Sequence, residues 1–122
     1  MFPHPRAHYR VRFPDPERPV FIAGDRATHV VVDCSEQGFR FRPAPHVDDL
    51  PEVGTPARGR IRFRSGRVAE VAGVVVRIQD NEVAVHLDEA GIPFFTIIHE
   101  QLLLRKKYPG CDAPIATSTQ SA

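Results

Sequence analysis

Residues 39–42 read Phe39-Arg40-Phe41-Arg42, and residues 60–64 read Arg60-Ile61-Arg62-Phe63-Arg64. Both stretches alternate with a period of two, so an extended chain would carry apolar side chains on one face and arginines on the other. Arg10-Val11-Arg12-Phe13 repeats the pattern near the N-terminus. Such alternation marks antiparallel strands with one buried and one wet face. Working outward, Thr28–Val32, Val74–Ile78 and Glu82–Leu87 are rich in β-branched residues and predict three more strands. Gly24, Pro43–Pro45, Pro51–Pro56, Ser65-Gly66 and Asp80-Asn81 fall between them as turns and loops. Short strands at hairpin-like spacing predict a mainly β fold, a six-stranded antiparallel barrel, because closure removes exposed sheet edges.

The pattern changes at Gly91. Pro93 suits the first position of a helix, and Phe94, Ile97, Ile98 and Leu102 follow at helical spacing. Arg105, Lys106 and Lys107 then oppose the negative end of the helix dipole, and Pro109-Gly110 stops it. A C-terminal helix over about residues 93–108 is predicted. The run Leu102-Leu103-Leu104 makes it apolar on more than one stripe. Any leucine not buried on the barrel would be covered by a second copy of the chain, a homodimer. One domain spanning 1–110 is expected, followed by a small, polar, disordered tail over 111–122.

Composition removes several function classes. Two cysteines, Cys34 and Cys111, do not make a disulfide framework, so a cytoplasmic location is expected. The N-terminus MFPHPRAHYR has no apolar h-region, and no apolar run is long enough to span a membrane. Net charge is only +1, which disfavours nucleic acid as a partner of the whole molecule. Of sixteen basic residues, fourteen are Arg and two are Lys. Arg offers a planar fork for phosphate and for the guanine O6/N7 edge, although a GC-rich genome produces the same bias.

Nothing in the chain points to catalysis. GxSxG, HExxH, CxxC and Gly-rich phosphate-loop motifs are absent. His46 with Asp48 and Asp49 lacks recognised metal-ligand spacing and sits in a Pro-rich loop, so no metal or other cofactor is expected. Cys34 has no His placed beside it and reads as a small strand hydrophobe.

Two short patterns remain. Arg6-Ala7-His8-Tyr9-Arg10 is an RxxxR at the threshold of the first strand, a spacing shared by Arg58/Arg62 and Arg60/Arg64. Asp33-Cys34-Ser35-Glu36-Gln37-Gly38 is a DxSxxG that occurs once. A carboxylate at Asp33 can accept from paired N–H donors such as guanine N1 and N2, and the Ser35 hydroxyl can donate to phosphate. Gly38 would allow a turn with positive φ. The plainer reading of the same residues is a Ser- or Asx-stabilised hairpin turn.

Arg6/Arg10 followed by Asp33, Ser35 and Gly38, with Val11-Arg12-Phe13-Pro14 after the second Arg, resembles the PilZ domain family of bacterial cyclic di-GMP receptors. The resemblance implies a PilZ-type six-stranded barrel that binds cyclic di-GMP at its rim. It would give phosphate binding and guanine stacking to Arg6 and Arg10. Guanine recognition would fall to Asp33 and Ser35, and turn shaping to Gly38. Many members carry a further Arg just before the first motif Arg, where this chain has Pro5. The resulting expectation is a receptor or adaptor, not an enzyme, that signals to an unidentified protein partner as ligand orders its N-terminal segment. The alternatives are an OB-like barrel binding single-stranded nucleic acid through Arg60–Arg64, and a PilZ-like adaptor without ligand.

Overall fold

A computed structural model of the chain describes residues 10–24, 26–45, 50–88 and 91–109. Alternation does become strand. The elements are β1 (Val11–Arg12), a single 3-10 turn (Asp15–Glu17), β2 (Val20–Ala23), β3 (Thr28–Ser35), β4 (Gly38–Arg42), β5 (Pro56–Arg62), β6 (Val68–Gln79), β7 (Glu82–Leu87) and α1 (Phe94–Lys107). Hydrogen bonding runs β3-β2-β5-β6-β7-β4 and returns to β3, a closed six-stranded antiparallel barrel. The expected tail 111–122 lies outside the described residues, as do His46, Asp48 and Asp49.

The strand count was legible but one stave was not. The expected strand Arg10–Phe13 shrinks to the two-residue β1, which rides on the outer end of β3 with Val11 opposite Cys34 and Arg12 opposite Asp33. Its place in the ring is taken by β2, paired on one side with β3 and on the other with β5. Val20-Phe21-Ile22-Ala23 is uniformly apolar, so it carries no period-two signal, yet it pairs on both sides like any interior stave. Elsewhere β6 begins six residues before the predicted Val74 and is bent by a bulge between Val75 and Arg77. Asp80 and Asn81, at φ 54° and 63°, form the tight turn that joins β6 to β7 with the right strand twist.

Inward-facing residues fill the barrel. Phe21 stands at its centre, 4.9 Å from the Phe39 ring and 5.2 Å from the Phe41 ring between centroids. Ile61, Val71, Val75, Val83, Val85 and Leu87 complete the packing.

The helix packs against β1 and β3, but with a different face from the one hydropathy suggests. Buried positions are Thr96, Ile97, Glu100, Gln101 and Leu104, while Phe94 and Leu102 of the expected face are exposed. Two polar residues on the inward stripe disguise it. Glu100 is tolerated there because its carboxylate accepts from the Ser65 hydroxyl at 2.6 Å. Gln101 is buried with its Nε2 unpartnered among the described residues. At the far end, Lys107 Nζ and Tyr108 OH both donate to Glu17, at 3.0 and 3.1 Å, and tie the helix to the 3-10 turn. The Lys107 bond holds the Glu17 carboxyl below its ordinary pKa against the opposing effect of burial.

If this face is correct, Ile97→Ala should destabilise the fold by about 2–4 kcal/mol through a cavity at a position with no solvent exposure. Leu102→Ala, at a site 49% exposed, should stay within about 0.5 kcal/mol. Urea unfolding of the two variants measures the difference. Equal losses would reverse the assignment of the buried face.

Candidate functional site

Asp33 lies on the outward side of β3, next to a register shift between Val31 and Asp33, and across from Arg40 of β4. The side chain has no exposure at all. Its Oδ1 accepts from Arg10 Nη1 at 2.6 Å, and its Oδ2 accepts from Arg40 Nε at 3.0 Å and from Arg40 Nη2. The arginines are 41% and 38% exposed, so the carboxylate is the hidden floor of a two-arginine clamp whose outer faces meet solvent. Arg40 also lies 3.6 Å from Glu82, which in turn holds Arg42 at 2.8 Å. The hydrogen bonds to Asp33 push the Arg40 pKa further up, so its charge is permanent.

Strand register places this clamp at the head of a groove. Arg40 pairs with Ala84 of β7, and Ala84 pairs with Arg77 of β6, which gives an outward row Asp33–Arg40–Ala84–Arg77. The next row is Ser35–Gly38–His86–Val74. Ala84 and Gly38, in the middle, have little or no side chain. Arg10, Arg40, Arg77 and His86 rise around them. The depression has a volume of about 430 Å³. Its lining carries planar guanidinium and imidazole groups suited to stacking and to charge-assisted bonds.

The motif residues therefore have definite places, some unexpected. Arg10, Ser35 and Gly38 line the groove, and Asp33 supports it from beneath. Arg6 lies outside the described residues. Gly38 does not take a positive φ, contrary to the expected turn geometry. It is a strand residue whose Cβ, if present, would stand 2.5 Å from the Val85 carbonyl oxygen. Close approach of β4 to β7 is what requires glycine there. The turn itself is Glu36-Gln37, and Ser35 Oγ accepts from the Gln37 N–H at 3.3 Å, so the plainer Ser-turn reading also describes this segment.

Arg40, Arg77 and His86 escaped the sequence reading. Arg40 was visible only as the charged phase of an alternating strand, and its link to Asp33 exists because β3 folds back on β4 with a register shift. Arg77 needs the bulge in β6 to face the same groove. Cys34, by contrast, points into the core, where burial and the nearby Asp33 charge push its thiol pKa up. A thiol in that state is no nucleophile. No cluster of three or more metal-ligating side chains occurs among the described residues. None of their helices is long and apolar enough to cross a membrane.

Comparison with known proteins agrees with the fold. No curated protein matches the chain. Among solved structures, the Bacillus subtilis inhibitor of motility, MotI/DgrA, superposes with a TM-score of 0.59 at 16% identity, over 91% of this chain and 54% of that one. The chain thus spans about half the length of that protein, and at such identity the likeness concerns the fold. The family model described as "PilZ domain" matches residues 4–104. With that match running from the N-terminal arginine motif through the barrel and into the helix, the chain belongs to the PilZ domain family.

Proposed function

We propose that this chain binds cyclic di-GMP in the groove over β4, β7 and β6 and, as a non-enzymatic adaptor, passes the signal to a protein partner. PilZ domains are ligand-binding and adaptor modules, which supports the general class. The observation that carries the reading is the Asp33 clamp. A buried carboxylate left without a partner is strongly destabilising. Here two arginines share it, so Arg10 can turn toward a ligand phosphate while Arg40 keeps Asp33 paired. Arg77 faces the clamp across Ala84 and is free to stack on a guanine or take the second phosphate. Asp33 then contributes by aiming its arginines, and reads a guanine directly only if Arg10 leaves it. A cytoplasmic, bacterial setting goes with this ligand.

The nucleic-acid alternative fits less well. Its stacking platforms would have to be aromatic. Phe21, Phe39, Phe41 and Phe63 are all buried, and the exposed Phe94 and Phe95 belong to the helix and not to the strand of Arg60–Arg62.

Calorimetry with cyclic di-GMP, GTP and an oligonucleotide tests the proposal, and only the first should bind tightly. Arg10→Ala should remove roughly 1.5–3 kcal/mol and weaken binding about ten- to a hundredfold, and because it leaves Asp33 Oδ1 without its cation it should also lower fold stability by about 1–3 kcal/mol. Arg77→Ala should weaken it about three- to tenfold. Parent-like binding by the Arg10 variant would refute the site.

A second expectation concerns Arg6. In this proposal bound phosphate fixes the N-terminal segment beside Arg10, an ordering step that a partner can sense. Amide hydrogen exchange over residues 1–14 should slow on adding cyclic di-GMP. Protection that is complete without ligand would remove the switch and leave the binding intact. Low protection unchanged at saturation would exclude Arg6 from the site.

A further inference from the structure

On the opposite wall of the barrel from β4, strand β5 turns Arg58, Arg60 and Arg62 outward on alternate residues, about 6.7 Å apart along the strand. All three are exposed, and among the described residues none makes an ion pair or a side-chain hydrogen bond. The register shows what flanks them. Arg62 lies in the row Val30–Val20–Arg62–Val68, and Arg60 in the row Thr28–Ile22–Arg60–Glu70. Arg58 neighbours Ala72. Glu70 is the single carboxylate in these rows, so the face keeps a surplus of positive charge. Val30 and Val68 are 41% and 48% exposed on either side of it.

We propose that this face of β2, β5 and β6 is the docking surface for an extended acidic partner segment with a carboxylate at every second residue. Charge complementarity selects carboxylates, and the alternating spacing of the arginines matches that of an extended chain, whose side chains also repeat every second residue. The exposed valines favour protein over nucleic acid. Interfaces combine Arg with apolar side chains, whereas single strands are held by successive aromatic platforms; the strand phenylalanines face inward, and the exposed Phe95 sits on the helix under Arg67. Because β5 lies across the ring from β4, a segment seated here would leave the groove of Arg10 and Arg40 open. The proposal does not depend on what that groove binds.

The probe is a fluorescein-labelled octapeptide of alternating Glu and Ser, followed by anisotropy at low salt. It should bind the parent protein, and the pair Arg60→Glu with Arg62→Glu should weaken it at least about tenfold. An octapeptide of alternating Gln and Ser should bind the parent at least about tenfold less tightly than the alternating Glu peptide. Thermal unfolding of the double variant should stay cooperative and close to that of the parent, which shows that it is folded. Failure of the parent to bind the alternating Glu peptide, or equal binding by the double charge reversal, would overturn the proposal. Tighter binding of oligo(dT) or of anionic vesicles than of the peptide would assign the face to nucleic acid or to membrane instead.

Discussion

A carboxylate with no access to water sits under two arginines. Removing Asp33 from solvent is costly on its own and tolerable only because both oxygens are bonded to cations. Much of the local architecture follows from that requirement. The register shift between Val31 and Asp33 aligns Asp33 with Arg40 on the neighbouring strand. The short strand β1 holds the chain at Arg10 close enough for the second bond. A face that would otherwise be an ordinary wet barrel surface becomes a place where two guanidinium groups are held side by side.

The groove beside this clamp owes its shape to what is missing from two positions. Gly38 has no side chain because Val85 passes too close to its backbone, and Ala84 has only a methyl group between Arg40 and Arg77. A constraint of packing and a feature useful for binding therefore coincide at one glycine. The same hairpin also reaches the helix. Gln37 accepts from the Leu87 N–H at 2.8 Å, and Glu36 accepts from the Ile92 N–H at 3.0 Å. Gly91, at φ +55°, stands where a Cβ would fall 2.4 Å from the Glu36 carbonyl oxygen. The turn that carries Ser35 is thus stitched to the lead-in of α1. The rim of the groove and the lead-in to the helix share these backbone bonds, whereas the arginine face on β5 belongs to the other wall.

The sequence by itself determined the class of fold and most of its staves. Period-two alternation in Phe39–Arg42 and Arg60–Arg64 reports one buried face, and that signal needs only the residues themselves. Proline and charge placement marked the helix within one residue of its observed ends, because helix termini are decided by local chemistry. The DxSxxG and RxxxR spacings, read together, led to the family. Only the tertiary structure decided which neighbours those residues meet. Val20–Ala23 became a stave because β3 and β5 pair with it on both sides, something a uniformly apolar run does not announce. The helix buried Glu100 and Gln101 in place of Phe94 and Leu102, since the inward stripe is chosen by the shape of the barrel end. Arg40 and Arg77 joined Arg10 around one groove through two register shifts. A shift of one residue exchanges the faces of a strand, and no periodicity within a single strand encodes how its partner is aligned.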